Sequence, residues 1–144
     1  MIADPVVLKE IRDSWQMLRE SRDRIVATTN AMSAGQSSTM RDVSFNLLLV
    51  SALDLLAFTL RQLRVEGVFV SHGDGLGALM LNSRASLTWD HWATIDCGRF
   101  DRIESLRSQT FLPHAKCRHC VSGIERQLCA WGVLTDETPH LWNW

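Results

Sequence analysis

Apolar residues recur at helical spacing over most of the chain. Val7, Ile11, Trp15, Leu18 and Ile25 are separated by steps of three, four or seven, with Arg, Glu and Asp between them, so one face of a helix is apolar and the other charged. Asp4-Pro5 ahead of them supplies an N-cap and a first-turn proline, and a first helix is predicted from about Pro5 to Thr29. The small polar stretch Ser33–Thr39, with Gly35 inside it, reads as the loop of a helical hairpin. Val43–Leu60 is the most apolar run. Its length suits a membrane span, but Asp54 near its middle costs about 2.5–3.5 kcal/mol on insertion scales. The run is therefore expected as the central helix of a soluble bundle.

From Val65 to Gly77 the pattern is broken by Gly67, Gly73, Gly75 and Gly77. They lack phosphate-loop spacing and a Lys-Ser/Thr partner, so they read as turns. Leu76–Leu87 reads as a short helix, broken near Asn82. Phe100, Ile103, Leu106, Thr110 and Phe111 stripe another, which Pro113 should end. Cys117, Val121, Ile124, Leu128 and Trp131 follow four-three-four-three spacing on a last helix, with Gly132 as its C-cap. No alternating strand pattern appears. The prediction is an all-α, up-and-down bundle of four to five helices, with residues 1–134 as one domain and 135–144 as an apolar tail.

Composition narrows the partners. At 144 residues, 46% hydrophobic and 22% charged, the chain lies in the globular range and away from disorder. A formal net charge of -1 leaves no global positive field for nucleic acid, so any such contact must be local. Four cysteines are too few for a disulfide scaffold, and no basic-then-apolar leader opens the sequence. A reduced, cytoplasmic location without membrane insertion is expected.

Arg107 carries the most information. At 100° per residue, Phe100, Ile103, Arg107 and Phe111 fall within an arc of about 80°, which puts a guanidinium in an apolar stripe. Burying it is costly unless it is paired. It either faces an anion-binding cleft or meets an acid inside the bundle, and Asp54 is the natural partner. His114 follows seven residues later, making Arg107-x6-His114. At this element the chain resembles the HEPN superfamily of small helical-bundle proteins, whose signature is an arginine near a helix end followed after four to six residues by a histidine. The layout over about Val6–Val133 is similar: an amphipathic first helix, a long apolar second helix bearing an acid, a variable middle, the R-x6-H element and a closing helix. Ser108 and Ala115 stand where many members carry a polar residue, often Asn, and a glycine. Arg84-x6-His91 has the same spacing.

The resemblance implies metal-independent RNA cleavage at a site completed by a homodimer, with Arg107, His114 and Asp54 as site residues. Histidine can move a proton to or from the ribose 2′-hydroxyl or the leaving 5′-oxygen. Arginine can clamp the phosphate as charge builds. A non-cleaving RNA-binding relative has the same layout.

The competing constellation is a zinc staple. His114, Cys117 and Cys120 could supply three ligands from a turn leading into a helix, with Cys97 as the fourth. Cys120 and Cys129 are half a turn out of phase and cannot share one ion. On that reading the chain is a non-enzymatic interaction module, docking a protein partner through Trp142 and Trp144 of its tail.

Overall fold

A computed structural model describes residues 2–89 and 114–135, with the backbone alone at 34, 37, 38 and 114–119. Among the described residues there are four helices and no strand: α1 (Pro5–Asn30), α2 (Ala34–Val65), α3 (Leu76–Ser83) and α4 (His114–Ala130). The fold is all-α, a helical bundle, as the periodicity predicts.

α1 starts where the sequence says it should. The Asp4 carboxylate accepts from the Val6 backbone N–H at 2.9 Å and Pro5 occupies the first turn, so one orphan amide is satisfied and the proline has none to lose. The expected hairpin loop is shorter than predicted. Only Ala31–Ser33 separate α1 from α2, and residues 34–39 already belong to α2. Polar serines tolerate the first turns of a helix that later packing holds in place. Arg41, one turn further into α2, donates to Thr29 Oγ1 at 2.9 Å and Asn30 Oδ1 at 2.6 Å, tying the hairpin shut.

α2 is the spine of the bundle. Phe45, Leu49, Ala52, Leu53, Leu56 and Leu60 are all 1% exposed or less, and α1, α3 and α4 each pack against this helix. Residues Thr39–Val65 are long and apolar enough to cross a membrane by length and composition, and half of their most apolar window is buried inside the bundle. At the other end of the hairpin the Glu66 carboxylate accepts from the Ala3 backbone N–H at 3.1 and 3.2 Å.

Two helices end in the same way. Gly132 has φ +73°, with Gly132 N–H on Cys129 O at 3.0 Å and Val133 N–H on Leu128 O at 2.9 Å. Gly67 has φ +81°, with Gly67 N–H on Arg64 O and Val68 N–H on Leu63 O, both at 3.0 Å. Both are Schellman caps, in which a left-handed glycine lets two amides satisfy the last carbonyls. After Gly67, Arg64 donates to the carbonyls of Ser71 and Gly73, and Arg61 donates to that of Asp74. α3 is shorter than predicted, ending at Ser83. The chain then reaches Thr88, whose carbonyl accepts from Gln127 Nε2 at 3.0 Å and Trp131 Nε1 at 2.8 Å. Trp89 meets Trp131 edge to face, with ring centroids 4.7 Å apart.

Candidate functional site

The described residues form three chemically distinct places. The first is polar and buried. Trp15 and Arg19 are one turn apart on α1, and Glu125 stands on α4 between Val121 and Leu128, inside the apolar stripe that the heptad-like spacing predicts. Glu125 is 2% exposed, and its carboxylate accepts from Trp15 Nε1 at 2.7 Å and pairs with Arg19 at 3.3 Å. Further along the same face of α1, Arg12 donates to the Val133 carbonyl at 2.8 Å. These bonds fix α4 against α1, antiparallel to it. A buried ion that keeps its charge needs such partners, so the arrangement is suited to holding helices in register.

The second place is a cleft of about 420 Å³ on the other side of the hairpin, lined by Glu10, Ile11 and Ser14 of α1 and Asp54, Leu55, Phe58 and Arg61 of α2. Here the expected interior placement of Asp54 is corrected, while its pairing with Arg107 lies outside the described residues. Asp54 is exposed and lies on the outer side of α2 with Leu47, Ser51 and Phe58. At 100° per residue these four fall within an arc of about 60°, opposite the buried stripe. The interior acid among the described residues is Glu125.

The third place is the start of α4. His114 is its first residue, and its first turn contains no acid. The four leading amides of a helix have no partner within it and carry a partial positive charge, an environment that attracts anions. Arg107 lies outside the described residues, as do Cys97, His91, Trp142 and Trp144.

The zinc arrangement also looks different once α4 is seen to begin at His114. His114, Cys117 and Cys120 lie on one continuous helix instead of on a turn leading into it. The outer two are about 9 Å apart along its axis. Among the described residues no group of three metal-ligating side chains comes together. Cys120 and Cys129 are both half-buried on α4.

Sequence reasoning missed the Asp54 face because Val43–Leu60 is apolar nearly all round, so its few polar residues do not reveal which side faces water. The signal for Glu125 was present: an acid four residues after Val121 and three before Leu128 shares their face. No protein-family model, curated protein or solved structure matches this chain.

Proposed function

We propose that this chain is an RNA-contacting helical protein of HEPN-like architecture, gripping phosphate at the first turn of α4. The observation that carries the reading is that His114, the histidine of the R-x6-H element, opens a 17-residue helix whose first turn holds no acid. The sequence around it adds local charge. Residues 99–119 hold five Lys/Arg, namely Arg99, Arg102, Arg107, Lys116 and Arg118, against Asp101 and Glu104, in a chain whose net charge is -1. That local excess is the kind of footprint phosphate binding requires when the global field is absent.

Where two chains bring Arg107 and His114 together, the same elements support cleavage. The 2′-oxygen attacks phosphorus, the bond to the 5′-oxygen breaks, one imidazole accepts the 2′ proton and another supplies the leaving oxygen's proton. The product ends in a 2′,3′-cyclic phosphate. Arg107 neutralises the charge that develops on the non-bridging phosphoryl oxygens.

The experiment is a titration of labelled single-stranded RNA at two salt concentrations, in excess EDTA, with products resolved on a gel. Lys116→Ala with Arg118→Ala should weaken binding at least tenfold and flatten its salt dependence by about two phosphate contacts. Cleavage, if it occurs, should fall about 100-fold in Arg107→Ala and in His114→Ala. RNA left unbound at low salt sinks the reading. RNA bound but intact identifies the non-cleaving relative.

A further inference from the structure

The cleft between α1 and α2 has the size and the lining of a small-molecule site. Its volume is about 420 Å³, within the range of about 300–1,000 Å³ over which ligand pockets fall. The floor is apolar, with Ile11 1% exposed and Leu55 half-buried. Phe58 of α2 forms a wall and, at 39% exposed, leaves part of its ring uncovered. From α1 come Glu10 and Ser14, one turn apart. Both are about 160° round the helix from Arg12, which donates to the Val133 carbonyl just past α4. The cleft and α4 are therefore on opposite sides of α1.

The polar groups of the cleft are not equally available. Arg61 donates to the Asp74 carbonyl at 2.9 Å, and Asp54 has an interaction of its own within the chain. Glu10 is different. Among the described residues its carboxylate takes part in no ion pair and no hydrogen bond, and the same holds for the Ser14 hydroxyl. Side chains four apart on a helix have β-carbons about 5–6 Å from each other, so one donor-rich head reaches both. A primary ammonium brings a positive charge and several donors, which suits a carboxylate beside a hydroxyl. Magnesium or calcium takes about six or more oxygen ligands, and an apolar floor supplies none. A ligand carboxylate would meet Glu10 as a like charge.

We infer that this cleft binds a small organic cation: a primary ammonium held by Glu10 and Ser14, on an aromatic or aliphatic body that lies over Ile11 and Leu55 against the Phe58 ring. The body leaves water for an apolar surface, and the ring attracts a cation brought within about 6 Å of it. Neither Asp54 nor Arg61 has to give up its present partner. The site uses no residue of α4, so it stands or falls without reference to RNA.

Proton–nitrogen correlation NMR of the full chain at neutral pH tests it, with phenethylammonium chloride as the probe. Phenethyl alcohol and hydrocinnamate, which carry the same ring without the cation, are the controls. The amine should shift the amides of residues 10–14 and 54–58 and saturate, while the alcohol and the carboxylate should bind at least about tenfold more weakly. Glu10→Gln should weaken the amine by a similar factor and leave the alcohol as it was. Phe58→Ala should weaken amine and alcohol alike, with circular dichroism melts to confirm that both variants are folded. Glu10 makes no bond within the fold, so Glu10→Gln is the variant to rely on should Phe58→Ala melt early. An amine that produces no saturable shift overturns the proposal. So does an alcohol that binds as tightly as the amine, and so does a Glu10→Gln chain that binds the amine as the wild type does.

Discussion

Trp15 Nε1 donates to the Glu125 carboxylate at 2.7 Å across the α1–α4 contact, and both residues are at most 2% exposed. With Arg19 at 3.3 Å from the same oxygen, the last helix of the bundle is locked to the first by a buried charge and two donors of different kinds. An acid in an apolar stripe is a liability unless its partners are supplied from the facing helix, and here they are.

Replacing Glu125 by leucine should therefore destabilise the chain by about 3–5 kcal/mol, since it leaves the Arg19 guanidinium and the Trp15 N–H facing an apolar group. Glutamine keeps an acceptor for Trp15 and should cost about half as much. Arg19→Met combined with Glu125→Leu should recover part of the loss, because an apolar pair no longer needs a carboxylate between the helices. Urea unfolding followed by tryptophan fluorescence measures all three. A loss below about 1 kcal/mol for the leucine variant would show that the pair is not a lock.

Glycine-to-alanine substitutions should change sign along the chain. At Gly132 nothing lies within 4 Å of the position a β-carbon would take, so the cost of alanine is that of the left-handed backbone alone, about 1–2 kcal/mol. At Gly35, inside the first turns of α2 and equally open, alanine should stabilise by up to about 1 kcal/mol through the helix propensity it adds. Paired thermal melts decide the matter, and equal shifts at both sites would contradict the backbone assignments.

On the RNA reading His114 is not a metal ligand, and chelation should leave the melting temperature unchanged. A structural zinc site contributes folding energy that EDTA would remove. A metal assay near one equivalent per chain, with a melting temperature that falls in EDTA, would establish the zinc staple instead.

Parts of this fold are written plainly in the sequence. Asp4-Pro5 marks the start of α1, and Gly132 marks the end of α4, because cap chemistry is local and needs no knowledge of the partner. The hairpin loop is less legible: Ser33–Thr39 has turn composition, yet most of it is helix, since packing along a 32-residue helix outweighs the weak propensity of a few serines. Asp54 and Glu125 are the instructive pair. Local pattern put the acid of the apolar run inside and passed over the acid of the amphipathic helix, whereas the structure has the reverse. What decides burial of a carboxylate is the donor on the facing helix, and Trp15 and Arg19 are 110 and 106 residues away from Glu125 along the chain. No window along a single sequence contains both sides of that bond.

The grip of Arg61 and Arg64 on the turn after α2 has a mechanical consequence. Residues 66–75 form no helix, but the carbonyls of Ser71, Gly73 and Asp74 are held by guanidinium groups rooted in α2. The turn is thus carried by the spine as a bracket is carried by a beam, and α3 inherits its position from it. A longer connection at this point would have to leave those three oxygens where they are, whereas the link Ala31–Ser33 between α1 and α2 is held from its flanks, by Arg41 on Thr29 and Asn30.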